Sequence, residues 1–158
     1  MGQYDFKEDL PVAQETEKEV AEVLIRQYNA EILGFNDDYK YDILARIKGK
    51  EFKIEVKEDF MCGDTGNAAV EFSCRGKPSG IQTTEADYYI YKMHKEDGIK
   101  YTIHKVEAIK KMIDNGLFFR IVNGGDKDSN SLNYLFKYNI FIRTGTEIAP
   151  WQKHKSVV

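Results

Sequence analysis

Between Tyr41 and Lys57, polar and apolar side chains alternate along two short runs, Tyr41–Lys48 and Glu51–Lys57, which flank Gly49-Lys50. A glycine followed by one residue between two alternating runs predicts a hairpin closed by a two-residue type II′ turn. Lys48 is then expected to pair with Glu51, which sets Asp42 opposite Lys57 and Leu44 opposite Glu55. Successive side chains of a strand point to opposite faces, so Ile43, Ala45, Ile47, Phe52, Ile54 and Val56 form one apolar face. The other face carries Asp42, Arg46, Lys53, Glu55 and Lys57. In that register Asp42 and Glu55 become diagonal neighbours with Cα atoms roughly 7–8 Å apart, within reach of one ion.

The pattern around this hairpin changes period several times. From Gln14 to Tyr28, Val20, Val23, Leu24 and Gln27-Tyr28 recur at helical spacing, with Glu17 on or beside that stripe and Glu15, Glu19 and Glu22 turned toward solvent. Ala68–Ser73 reads as a third strand, on which Glu71 faces away from Val70 and Phe72, and Asp87–Met93 reads as a fourth. Tyr101–His104 alternates as a strand, and a helix from about Lys105 to Asn115 is closed by Gly116. Leu117–Val122 is apolar without a clear period, and Asn123–Ser131 is an evident loop. Asn133–Ile142 is apolar at both parities, with Tyr134, Phe136, Tyr138, Ile140 and Ile142 on one face and Leu135 and Phe141 on the other. A strand of that kind is expected either at the centre of a sheet or against a second subunit. The segment 144–158 is expected to be an irregular tail.

Length and composition narrow the classes. At 158 residues, 42% hydrophobic and with three prolines, the chain suffices for one sizeable core, so 1–158 is expected to be a single domain. No apolar run approaches the roughly 18 residues of a membrane span, and the polar N-terminus does not read as a signal peptide. Cys62 and Cys74 lack metal-ligand spacing and are expected to be reduced thiols in a cytoplasm. His94, His104 and His154 are scattered, which speaks against a zinc or histidine-dependent site. A net charge of −3 argues mildly against nucleic acid. Carboxylates gathered for a metal weigh in that sum although the ion would offset them. Lys92, Lys95, Lys100, Lys105, Lys110 and Lys111, and again Lys153 and Lys155, form local clusters that could contact a phosphate backbone or simply be solvated.

Two carboxylates and an amine on one strand face suit metal-dependent phosphodiester hydrolysis. An aspartate, a turn and Glu-x-Lys across a hairpin resemble the core of the PD-(D/E)xK nuclease superfamily, above all its small Holliday-junction resolvases and phage-type nucleases. Tyr41 stands where the name-giving proline would be. The resemblance extends to the string Glu17–Leu24, similar to the helix that gives resolvases a metal-site glutamate. It extends also to Thr65-Gly66-Asn67, with Glu71 and the Ser79-Gly80 turn following. It implies an α/β fold of restriction-endonuclease-like core, a central mixed sheet of four to five strands flanked by helices. It implies catalytic roles for Asp42, Glu55, Lys57, Glu17 and Glu71, with Mg²⁺ or Mn²⁺ held by Asp42, Glu55, Val56 and Glu17. The expected activity is that of a structure-specific DNA endonuclease, acting as a homodimer in the cytoplasm, a host's if the gene is a phage's. A sequence-specific restriction- or repair-type endonuclease and a silent nucleic-acid-binding member are the alternatives. Each supporting residue also has a purely structural reading: Glu17 as an acidic first helical turn, Glu71 as an exposed strand residue, Lys57 as a salt-bridge partner of Asp42. Lys77, Ser79 and the amides of the glycine turn could hold a phosphate or form an ordinary loop.

Overall fold

The computed structural model describes residues 12–36, 40–124 and 130–148. Helix α1 spans Val12–Tyr28 and buries Val20, Ala21, Val23 and Leu24 along the expected stripe. Asn29, in a left-handed conformation (φ 54°), ends it, and the Asn29 and Ala30 N–H groups bond back to the carbonyls of Ile25 and Leu24. Strand β1 (Glu31–Phe35) then pairs antiparallel with β2 (Ile43–Ile47), and β2 with β3 (Lys50–Asp59). No expectation covered β1: its glycine and bulge leave only a short apolar run to read.

The β2–β3 hairpin keeps the expected faces but not the expected register. Ile47 pairs with Lys50, and the turn is Lys48-Gly49, both with positive φ (52° and 78°), as a type I′ turn requires. The register therefore differs by two residues from one built on Gly49-Lys50. A shift of two preserves parity: Ile43, Ala45 and Ile54 are buried in one core cluster, with Ile47, Phe52 and Val56 packed against it.

After β3 the chain leaves the sheet through α2 (Cys62–Thr65), β4 (Asn67–Cys74), β5 (Lys77–Pro78) and a 3-10 turn at Gly80–Gln82. It returns as β6 (Tyr88–Lys95), parallel to β3, then β7 (Gly98–Lys105), α3 (Val106–Asp114), β8 (Arg120–Gly124) and β9 (Ser131–Lys137). Helix α4 (Tyr138–Phe141) and β10 (Gly145–Ile148) complete the described elements. The result is a mixed sheet of six strands, ordered β1-β2-β3-β6-β7-β10, where four to five were expected. A second, four-stranded sheet, β5-β4-β9-β8, had not been anticipated as a separate layer.

Both faces of the six-stranded sheet are covered. Helix α1 packs on one, with Ile43, Ala45, Ile54, Ile90 and Tyr101 beneath it. The second sheet, α3 and α4 close the other over Tyr89, Tyr91 and Met93, through Ala68, Val70, Ile109, Phe136 and Phe141. The run Asn133–Ile142 is not one strand: β9 stops at Lys137, and Tyr138–Phe141 turns into α4. Its surplus of aromatics is absorbed within the chain, since Phe136, Tyr138 and Phe141 are buried between the sheets and Tyr134, Ile140 and Ile142 pack beside them. A second subunit is not needed to cover them. Of the segment expected to be an irregular tail, Gly145–Ile148 forms an edge strand on β7, and 149–158, with Lys153, Lys155 and His154, lies outside the described residues. The loop expected at Asn123–Ser131 is shorter, because Asn123, Gly124 and Ser131 belong to strands. No helix among the described residues is long and apolar enough to cross a membrane.

Candidate functional site

Asp42 lies just before β2, where its N–H bonds to the Ile54 carbonyl (2.9 Å) instead of continuing the ladder. Its carboxylate reaches across to β3, and Oδ2 accepts the Val56 N–H at 2.7 Å. That tether places Asp42 beside Glu55, which shares its sheet face. Burial first, and the Glu55 charge second, push the Asp42 carboxyl up to about 6, against the pull of the Val56 N–H and the Lys57 ammonium. Lys57 points to the same face, with Nζ 3.1 Å from Glu55 Oε2 and 5.8 Å from the centre of the Tyr89 ring. Lys57 pairs with Glu55, its same-face neighbour on β3, while its ammonium still acts on the Asp42 carboxyl. Asp42 becomes a near neighbour of Glu55 rather than its diagonal one.

A third carboxylate arrives from the opposite layer. Glu71 projects from β4, and its charge acts on the hydroxyls of Tyr89 and Tyr91, the β6 residues paired with Glu55 and Lys57. The Ser79 hydroxyl donates to Glu71 Oε2 (2.8 Å), and the Ser79 N–H to the Phe72 carbonyl (3.0 Å). Gly80, at φ 54°, presses so close that a Cβ there would lie 2.2 Å from the Glu71 carbonyl oxygen. Both Ser79 donors are spent on β4, so the turn clamps Glu71, in line with the ordinary loop that was one of its two readings.

Glu17 is half-buried on α1, the helix packed on the opposite face of the sheet. The charges that act most on Asp42 are Glu55 and Lys57. Around α1 the sheet instead offers a separate polar network: Thr16 donates to Glu58 (2.7 Å), His94 meets Glu58 (2.8 Å), and Glu19 binds Lys92 (2.5 Å) and Tyr101 (3.1 Å). Glu19 thus does not simply face solvent. Lys92 is likewise engaged by Glu19, and Lys95 by Glu147 (3.3 Å), so two of the clustered lysines work inside the fold.

Two residues of the site gave no signal in the sequence. Asp59 lies on the same face of β3, where burial raises its carboxyl above the usual value while it accepts the N–H groups of Met61 (3.0 Å) and Ala69 (3.4 Å). It ties β3 to β4. Tyr89 is 1% exposed and its hydroxyl has no hydrogen-bond partner among the described residues. The Thr84 hydroxyl, which donates to the Lys40 carbonyl (3.2 Å) and accepts from the Ala86 N–H (3.1 Å), is the polar side chain that acts on it. A buried hydroxyl left so costs about 1–3 kcal/mol. A tyrosine in an apolar strand reads as core, and only the parallel β3–β6 pairing, which crosses a long insertion, brings it beside Glu55.

The donor set selects the kind of ion the site fits. Among the described residues, no three His, Cys, Asp or Glu side chains converge into a cage of their own. A closed zinc-type site does not fit. Asp42 and Glu55, crowded and mutually repelling, fit a hard cation that keeps much of its water shell, and Val56 could add only a main-chain carbonyl.

No family model matches the sequence, and no curated protein matches it. Among solved structures the chain is similar to a bacterial homing endonuclease, at 16% identity over 92% of this chain and 82% of that one, with a TM-score of 0.37. So distant a likeness carries no argument about what this chain does.

Proposed function

We propose that the chain is a single-domain, divalent-metal-dependent deoxyribonuclease of the PD-(D/E)xK kind, cutting branched DNA as a Holliday-junction resolvase does. The observation that carries the reading is the tethered, half-buried Asp42 beside Glu55 with the Lys57 ammonium on the same face. Asp42 and Glu55, with the Val56 carbonyl as a further ligand, would hold Mg²⁺ or Mn²⁺, while Glu17, on the helix across the sheet, would lie outside the ligand set. Held there, such an ion would supply a Lewis acid for a phosphoryl oxygen and acidity to a bound water. Lys57, steered by Glu55, orients the attacking water and offsets charge developing on the phosphate. Glu71, fixed by Ser79 and Gly80, positions water from the opposite layer. A two-fold pair of such sites would meet the symmetry of a four-way junction, which makes a homodimer in the cytoplasm the expected working form.

The test is cleavage of labelled four-way junction, flap, linear duplex and single-stranded DNA in Mg²⁺, Mn²⁺ or EDTA. Metal-dependent cutting of the junction is expected, with Asp42→Asn and Glu55→Gln each slowing it by about 10²–10³-fold and Glu17→Gln and Glu71→Gln having smaller or equal effects. An Asp42→Asn protein that cuts at the wild-type rate would remove the assignment, and preference for linear duplex would remove the junction specificity.

A further inference from the structure

The four-stranded sheet divides its two faces by polarity. Ala68 and Val70 of β4 and Phe136 of β9 are buried in the core, with Phe72 and Tyr134 packed against it. Register fixes what the other face carries. Arg120 of β8 stands opposite Leu135, Glu71 of β4 opposite Asn133, and Lys77 of β5 opposite Cys74, which is itself opposite Ser131. Ser131, Asn133, Leu135 and Lys137 alternate onto one side of β9, so Lys77, Arg120 and Lys137 share the face of Glu71. All three cations are exposed, and β4, β5, β8 and β9 carry no acid besides Glu71. In a chain of net charge −3, this face has the opposite sign. Arg120 and Lys137 are diagonal neighbours roughly 7–8 Å apart at Cα, where like charges repel. Lys137 is nevertheless held there, its Nζ 4.7 Å from the centre of the Phe119 ring.

The same face borders the carboxylates. Ala69, opposite Leu135, belongs to it, and its N–H donates to Asp59 Oδ2 (3.4 Å) while its carbonyl accepts the Tyr91 hydroxyl (2.9 Å). Those two bonds seat the edge of β4 on the β3–β6 surface beside Glu55 and Lys57. We infer that this exposed face of the second sheet, through Lys77, Arg120 and Lys137, holds the sugar-phosphate backbone of DNA. The inference rests on the nuclease reading above. Lys77 lies level with Ser131, six positions from Lys137, so the charges span about 20 Å along the strands. That length matches about six base pairs at ~3.4 Å each. A small anion would need the cations converged on one point, whereas a line of phosphates needs them spread. DNA brought against Asp42, Glu55 and Glu71 meets repulsion, and cations on the adjoining layer offset it. Contacts of this kind position the duplex and carry no base code, so the binding they give is indifferent to sequence and weakens with salt.

The test compares two double variants that each remove two exposed cations: Arg120→Gln with Lys137→Gln on this face, and Lys110→Gln with Lys111→Gln on α3. Melting temperatures of both should stay near that of the wild type, since the positions are exposed. Binding of uncleaved four-way junction in Ca²⁺ is followed by anisotropy over a series of NaCl concentrations. The Arg120 and Lys137 pair should lose affinity about 10-fold or more near ~0.1 M salt, and its slope of log affinity against log salt should shrink by about two. Adding Lys77→Gln should shrink the slope by about one more. The α3 pair should keep the wild-type affinity and slope, and so should Arg120→Lys with Lys137→Arg, which preserves the charge. A face pair with wild-type affinity and slope, or an α3 pair that loses as much, overturns the inference while cleavage by the wild type keeps the nuclease reading in place. A wild type that shows these slopes yet cuts nothing in either metal removes the nuclease reading alone. One that neither binds nor cuts DNA overturns both.

Discussion

Asp42 is held in a state that its own charge opposes. Its carboxyl is raised from 3.8 to about 6 by burial and by Glu55, so the folded chain binds that proton more tightly than the unfolded chain does. Below about pH 4 both states are protonated and Asp42 takes nothing from stability. Between pH 4 and 6 the unfolded form ionises first and stability falls, and above pH 6 the loss is constant, at most about 3 kcal/mol. Asp42→Asn, measured in EDTA by chemical denaturation, should therefore match the wild type near pH 4 and exceed it by on the order of 1–3 kcal/mol at pH 8. Equal stabilities at pH 8 would show that the carboxylate is not strained. The difference between the two proteins is the quantity to follow, because His104 slopes the other way. Its imidazole is fully buried and pushed down to about 4, so the stability of its neutral form is present above pH 6.5 and lost as pH falls through 4. At this scale Asp42, Glu55 and Lys57 were legible because alternation alone fixes their face. Tyr89 and Asp59 were not, because their meaning depends on neighbours distant in sequence.

At the scale of elements, the sequence misled most where one residue of turn chemistry decides between two registers. Gly49-Lys50 and Lys48-Gly49 both contain a permissible turn glycine, and the protein takes the second even though Lys48 must then adopt φ 52°. The shared face of Asp42, Glu55 and Lys57 is unaffected, because a two-residue slip returns every side chain to its own face. The run Asn133–Ile142 shows a different limit: its apolar parity is the same whether it stays extended or coils at Tyr138 to fill the space between the sheets. The Ser79-Gly80 turn was visible as a turn, yet its task, pressing on Glu71, was not. Gly80→Ala should expose that task. A Cβ would collide with β4 backbone at a left-handed φ, so a loss of more than about 2 kcal/mol in stability is expected. Cleavage by the fraction that still folds should fall as well, as Glu71 moves. A variant with wild-type stability and rate would mean that the contact yields freely.

On the scale of the whole molecule, α/β character and a mixed sheet were readable from the order of periods, whereas the second sheet was not. Its strands β4 and β5 lie inside the β3–β6 crossover, and β8 and β9 follow α3, so nothing local announces that they pair. The argument for a dimer from β9 falls with that layer, and the symmetry of a junction remains. An open apolar hollow of about 540 Å³ on the α1 side, between Leu24, Tyr28, Phe52, Tyr88 and Ile103, is still uncovered among the described residues. Light scattering at micromolar concentration should give a dimer mass, and a monomer that retains junction cutting would exclude the obligate dimer. The arrangement of the carboxylates has one more result. Asp42 and Glu55 belong to one sheet and Glu71 to the other, so neither sheet alone carries the full set. In a chain loosened by mild denaturant into two undocked layers, Glu71 would leave the Tyr89 and Tyr91 it acts on, across from Asp42 and Glu55. On the nuclease reading proposed above, loss of cutting would then be the earliest sign of unfolding.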